Sequence, residues 1–315
     1  MCCYGHLTIE ERESILVLKE KGVSLRSIAK TIHRSPSTIS RELNRNSRPR
    51  LGYSADYARK LYRKRRRHCH RKKRFEEPDT LEKVLELLNE YWSPEQISHR
   101  LRRDGSPVQI GTSTIYRGIN RGLLPKEIKK KLRTRPYSKP SGGGAGKLPI
   151  PHSIHDRPME ANLREAVGHW ESDTVQGSYH SGYIVTQVDR RSRYLVAVKI
   201  CNRKSEVYMA ATIRALQGKP VKTFTTDNGK EFAAHAMLTE AFGAKVYFCD
   251  PAAPGQRGTN ENTNGLLRQF FPKRTRFERV SQADVNVAAS LLNNRPRKCL
   301  NWETPYEVFS RECCT

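Results

Sequence analysis

Acidic residues are in short supply: 32 Asp and Glu stand against 58 Lys and Arg in 315 residues, leaving a formal net charge of +26. Such a chain repels itself and favours polyanionic partners over neutral or basic ones. Long apolar runs are missing too. No stretch of 18 apolar residues exists, which excludes a transmembrane helix, and residues 1–25 lack the apolar centre of a signal peptide. A cytosolic or nucleoid-associated protein, with no membrane partner, is expected. The eight cysteines include no C-x-x-C pair of the kind that builds a zinc ribbon, so free thiols are expected. His68-Cys69-His70 and His152/His155 have no second ligand pair nearby. Hydrophobic residues are 36% and fall in patterned segments, which argues against wholesale disorder and for two or more folded domains at this length.

What is present is unevenly distributed. Residues 1–78 carry 21 basic and 8 acidic residues, 79–150 carry 14 and 7, and 151–315 carry 23 and 17. The densest run, Arg59 to Arg74, holds eleven cations and no acid, with Arg65, Arg66 and Arg67 at its centre. A solvated helix or tail is the bland reading; phosphate contact with counterion release fits the charge density better. Between Pro136 and Pro151, Ser141-Gly142-Gly143-Gly144-Ala145-Gly146 reads as a flexible linker.

The front half is patterned for helices. Thr8 and Glu11 form a capping-box signature ahead of Ile9, Ile15, Leu16 and Leu18, and Gly22 ends that run. Ser24 caps a short helix with Leu25, Ile28, Ala29 and Ile32; Ser35-Pro36 then opens another containing Ile39 and Leu43. In a helix-turn-helix unit this last helix enters the major groove, and Ser37, Thr38, Ser40 and Arg41 suit base edges and phosphates. A plain three-helix packing module is the competing reading. The pattern recurs with Leu81, Val84, Leu85 and Leu88, then Ser93-Pro94-Glu95-Gln96, then Thr112 to Arg117. There Arg117 is the candidate DNA contact, with packing or dimerisation as the alternative role.

After the linker the apolar period falls to two. Strands are expected at 169–175, 183–188, 194–198, 221–226 and 245–248, with helices over 205–216 and 230–242, an α/β layout with a mixed sheet. Asp173 lies in the first strand, Asp227 at the end of the fourth, and Glu261 in the first turn of a later helix. Carboxylates that converge need cations, and hard divalent ions such as Mg²⁺ prefer oxygen ligands. Each acid taken alone reads equally as a surface salt bridge. Period two puts Glu171 on the face of Asp173, where it either supports the site or pairs with a nearby Arg or Lys.

Three blocks carry a resemblance: His169-Trp170-Glu171-Ser172-Asp173-Thr174, Thr226-Asp227-Asn228-Gly229-Lys230-Glu231-Phe232, and Gln256 through Gln269. They closely resemble the acidic blocks of DDE transposases in insertion-sequence family thirty, and the 33 residues between Asp227 and Glu261 agree with its spacing. Leu7 to Arg12, Ser35 to Leu43 and Trp92 to Ile97 also look like that family, so the likeness covers nearly the whole chain. It implies all-α helix-turn-helix modules followed by an α/β RNase-H-like, retroviral-integrase-type catalytic core with a mixed five-stranded sheet. The resulting division is a helix-turn-helix domain at 1–48, a basic connector at 49–78, a second helix-turn-helix-like domain at 79–124, a flexible linker at 125–160 and the core at 161–315.

The same likeness implies that Asp173, Asp227 and Glu261 are catalytic and bind Mg²⁺, with Mn²⁺ able to substitute. Arg268 is expected at the DNA end, Asn260 and Asn262 beside the glutamate to orient it or hold phosphate, and Asn228 as a support of the loop. Double-stranded DNA, as element ends and as target, and a homo-oligomer on DNA are the implied partners. The expected activity is strand cleavage and strand transfer. A DNA-binding regulator with a vestigial core and a nuclease acting on other substrates are the rivals; the intact triad opposes the first and the two helix-turn-helix patterns the second. Three departures from the family pattern stand out: Asp250-Pro251-Ala252-Ala253-Pro254-Gly255 lacks the usual aromatics, His33 stands where glycine often ends the helix, and Leu300 to Glu307 varies.

Overall fold

The computed structural model describes residues 5–69, 75, 77–133, 152–179, 181–251 and 253–313, which form two compact units, Met1–Lys73 and Arg74–Thr315. The first unit is helical: α1 Ile9–Glu20, α2 Leu25–Thr31, α3 Pro36–Asn46 and α4 Ala55–His68. The capping box of Thr8 and Glu11 forms, and Ser24 and Ser35 cap the next two helices. Ile15, Ile28 and Ile39 meet with no exposed surface, so each helix contributes one apolar stripe to the centre. Buried Arg12 pairs with Glu42 at 2.8 Å and donates to the Leu7 carbonyl, tying α1 to α3. His33 takes φ 55°, the left-handed turn where glycine is favoured. The connector expected at 49–78 contains α4, and Tyr53 just ahead of that helix and Ala58 within it pack into the same core.

The second unit begins with α5 Pro78–Asn89, α6 Pro94–Arg103, α7 Thr112–Asn120 and α8 Lys126–Lys131. Residues 125–133 therefore correct the expected linker: Ile128 is buried in this helical core beside Leu124, and that burial orders the segment. The other end of the linker is ordered as well, because α9 Met159–Leu163 receives Arg190, which donates to the Ala161 carbonyl at 2.9 Å. The Ser/Gly stretch at 141–146 lies outside the described residues.

Five strands, β1 His169–Gln176, β2 Tyr183–Asp189, β3 Leu195–Ile200, β4 Thr223–Thr226 and β5 Lys245–Phe248, line up in the order β3-β2-β1-β4-β5. The β1–β2 and β2–β3 pairs are antiparallel; β1–β4 and β4–β5 are parallel. The mixed sheet expected from the sequence is thus the observed one. α10 Ser205–Leu216 and α11 Ala236–Phe242 cover one face around Trp170, Tyr208, Phe224 and Phe248. α12 Gly258–Leu267 and α13 Gln282–Asn293 cover the other around Ile184, Val188, Leu267 and Leu292. The helix expected over 230–242 is broken into a 3₁₀ turn at Lys230–Phe232 and α11, since the Ser205 hydroxyl bonds the Glu231 carbonyl and the Ala234 N–H. The fourth strand starts at Thr223 rather than at 221.

The helical module at 78–131 is fastened to the last helix, α14 Pro305–Cys313, and the turn before it. Arg100 makes a two-pronged contact with Glu307 at 2.7 and 2.6 Å, Arg103 reaches Glu303 at 2.7 Å, and His99 stacks on Trp302 at 4.3 Å. These bonds hold Glu303 and Glu307 well below the usual carboxylate range, each to about 2: Arg311 and then Arg103 act on Glu303, and Arg100 on Glu307.

Candidate active site

The sheet register brings the two aspartates together. β1 and β4 run parallel with Glu171 opposite Thr225, so two residues further on Asp173 comes alongside Asp227, just past the end of β4. Alternation puts Glu171 and Asp173 on the face covered by α12, while Trp170 and Ser172 point towards α10. One guanidinium joins the pair: Arg257 lies 3.2 Å from Asp173 Oδ1 and 2.8 Å from Asp227 Oδ2, and donates to the Ser172 carbonyl. The remaining lone pairs accept from backbone or amide donors. Thr174 N–H bonds Asp173 Oδ1 at 2.8 Å, Asn264 Nδ2 bonds Asp173 Oδ2 at 2.9 Å, and Gly229 N–H bonds Asp227 Oδ1 at 3.0 Å.

Burial pushes the Asp173 carboxyl above its ordinary range, and the charge of Asp227 adds to this; Arg257 and the Thr174 N–H pull the other way. Burial also works against the charge on Arg257, but Asp173 and Asp227 outweigh it and hold the guanidinium protonated. Glu261, on α12, is exposed one turn beyond Arg257 and one turn before Asn264. Among the described residues, no three acids, histidines or cysteines stand close enough to hold a metal ion. The two aspartates meet, and Glu261 is on the adjoining turn without closing on them. Arg257 offsets only one of the two aspartate charges, so the cluster stays anionic and disfavours the approach of a third carboxylate. The donors are all oxygen, and two carboxylates that share one cation, with Asp173 desolvated, suit a hard divalent ion.

The helix that carries Glu261 is set by a buried lock. Glu171, with no exposed surface, forms an ion pair with Arg190 and accepts the Asn260 N–H at 2.8 Å. Asn260 Nδ2 donates to the Glu171 and Thr186 carbonyls, and the Thr186 hydroxyl donates to Asn260 Oδ1. Asn260 therefore orients the helix and is not free for phosphate. Asn262 is exposed on another flank of it. Asn228 turns to the Cys249 carbonyl at 3.4 Å and supports the loop after β4. Arg268 donates to the Gln176 carbonyl at 2.8 Å, which fastens the end of α12 to the end of β1. In the loop before α12, Gln256 bridges Asp250 through its N–H and carboxylate, although the usual aromatics are missing and Ala252 lies outside the described residues.

Elsewhere the candidate DNA contacts divide. Ser37 and Arg41 are exposed on α3, whereas Ser40 is half-buried and the Thr38 hydroxyl bonds Ser35. Asn44 and Arg45 extend the exposed face; their spacing of three and four from Arg41 was the signal for them in the sequence. Arg66 and Arg67 are exposed, but Arg65 is a brace, bonding Asn46 at 2.6 Å. Arg117 is exposed on α7. Arg257 and Asn264 were missed by sequence reasoning, although Arg257, Glu261, Asn264 and Arg268 recur at helical spacing.

Two family models match: a helix-turn-helix domain over residues 3–46 and an integrase core domain over residues 164–254. The transposase InsI for insertion sequence element IS30A of Escherichia coli strain K12 is 40% identical over 98% of this chain and 84% of its own length. The transposase for IS1086 of Cupriavidus metallidurans is 39% identical over 98% and 95%, and that for IS4351 of Bacteroides fragilis is 34% identical over 97% and 96%. The catalytic core of BIV integrase covers 46% of this chain and 94% of its own at 21% identity and a TM-score of 0.38. No helix among the described residues is long and apolar enough to cross a membrane.

Proposed function

Because the chain belongs to the IS30 family of insertion-sequence transposases, we propose that it binds the terminal inverted repeats of its element and that Asp173, Asp227 and Glu261 form the centre that cuts and joins DNA. As a DDE polynucleotidyl transferase it performs two in-line attacks at phosphorus, the first by water and the second by the freed 3′-hydroxyl on a target phosphate. The observation that supports this centre best is the convergence of Asp173 and Asp227 on a single guanidinium, with Glu261 one turn away.

The residues fit a divalent metal. Asp173, Asp227 and Glu261 would hold Mg²⁺, or Mn²⁺ in its place, which when bound activates the attacking oxygen and stabilises the departing one. The Gly229 and Thr174 N–H groups and the Asn264 amide fix the aspartate oxygens, so the movement a metal requires falls on Glu261 and Arg257. The guanidinium of Arg257 must release at least one of them for both to take a metal. Ser37, Arg41, Arg66, Arg67 and Arg117 supply base and phosphate contacts from exposed helical faces. Holding two element ends together calls for more than one copy of the chain on DNA.

The test is incubation of purified protein with cloned element ends and Mg²⁺ or Mn²⁺, mapping cleaved and joined positions. Asp227→Ala should abolish both steps and leave binding to the repeats intact. Strand transfer retained by that variant would sink the assignment.

A further inference from the structure

α12 has a second flank. Away from the carboxylates, Thr259, Asn262 and Thr263 line a cleft of about 200 Å³ with Arg164, Arg193 and Arg297. A neighbouring hollow of about 170 Å³ shares Asn262 and Arg297 and adds Arg133 and Arg295. Both are smaller than the roughly 300–1,000 Å³ of sites for drug-sized molecules, so a small group is the natural occupant.

Five guanidiniums gather here without an acid in either lining. Their hydrogen-bond partners are neutral: Arg193 bonds the Thr259 hydroxyl at 2.8 Å, Arg164 the same oxygen at 3.4 Å, Arg295 the Gln269 amide at 3.2 Å and Arg297 the Leu292 carbonyl at 3.0 Å. The acid that acts on Arg164 is Glu171, which is already paired with Arg190. Arg295 is only 3% exposed, yet its Nε and Nη2 have no partner among the described residues, and neither has Arg297 Nε. Burial, and then the neighbouring arginines, pushes Arg295 down to about 9 and Arg297 to about 10. Buried cations with unmet N–H groups are costly unless an anion completes them.

We propose that this cleft seats a phosphate group of the DNA backbone beside the catalytic helix, an inference that rests on the transposase reading. Planar guanidiniums match phosphate oxygens in paired hydrogen bonds. The seat would fix the strand one helix flank away from Glu261, so it reads position and not sequence.

Three measurements on the full chain test this. Inorganic phosphate, compared with chloride at equal ionic strength, should raise the melting temperature of the wild type but not of Arg164→Gln/Arg193→Gln. In a metal-free salt series with an element-end duplex, the same variant should bind about tenfold more weakly, and its log–log salt slope should be shallower by about 1 for each phosphate it no longer holds. Arg295→Met should melt higher than wild type without ligand, because an uncompensated buried cation is gone. Unchanged DNA affinity and slope in the double variant would overturn the proposal, even if the phosphate effect persisted. A phosphate effect equal in wild type and variant, or a lower melting temperature for Arg295→Met, would also overturn it. Failure of the wild type to bind element ends at all would strike the transposase reading instead.

Discussion

Glu171→Gln is the sharpest probe of how α12 is held. The carboxylate serves two buried partners at once, Arg190 through Oε1 and the Asn260 N–H through Oε2. A glutamine presents one oxygen and one NH₂, so whichever way the amide turns, a donor faces a donor. Removing one partner of a buried ion pair costs about 3–5 kcal/mol, since the other charge stays buried and unpaired. For a unit of this size each kcal/mol moves the melting point by roughly 2–4 °C, so a drop of about 6–20 °C is expected by calorimetry. Arg190→Leu combined with Glu171→Leu should recover the part owed to the unpaired arginine. It should retain a deficit of about 1–3 kcal/mol from the stranded Asn260 N–H. DNA cleavage should fall further in the single variant than end binding does. A loss of less than about 1 kcal/mol in urea denaturation, against the 3–5 kcal/mol expected, would refute the lock.

Other expectations follow from local geometry. His33→Gly should stabilise the first unit by about 1 kcal/mol, measured by urea melting, because the left-handed φ of 55° no longer strains a side chain. Gly229→Ala should impair cleavage more than binding: a Cβ there would lie 2.5 Å from Glu231 Oε2 and 3.0 Å from Asp227 Oδ1, so Glu231 has to shift and Asp227 has to give. The depressed carboxyls of Glu303 and Glu307 imply acid sensitivity. Their folded values of about 2 lie below the ordinary 4.5, so they contribute stability that is complete above that value and lost as pH falls towards 2. Near-ultraviolet circular dichroism of Arg100→Gln should show a smaller change than wild type over that window; an identical titration would argue against the contact.

Local signals carried much of the architecture. Period-two alternation located β1 and β2 within a residue, and the caps at Thr8, Ser24, Ser35 and Ser93 form as their spacing required. The aspartates were legible for a similar reason, since one lies inside a strand and the other at a strand end. What escaped was set by tertiary partners. Nothing local marks Arg257 as a clamp on two acids, because in so basic a chain another arginine reads as a DNA contact. Arg65 misled in the same way and turned out to brace α3. Ile128 sat in a lysine-rich stretch whose burial depends on helices earlier in the chain, such as α5. The arginine cleft is assembled from positions 133, 164, 193, 295 and 297, which no periodicity connects.

The fastening of α6 to the chain's end also bears on how the protein is made. Arg100 and Glu307 are separated by 207 residues, and Gln96 donates to the Pro296 carbonyl across 200. At about 5–20 residues per second of synthesis, roughly 10–40 s elapse between the appearance of one partner and that of the other. The first unit, whose core draws only on its own neighbours, has no such wait. On the ribosome, then, a nascent chain presents its leading helix-turn-helix unit well before the second helical module is clasped to the catalytic core. A chain that stops short of α14 never closes that clasp, whatever the state of its carboxylates.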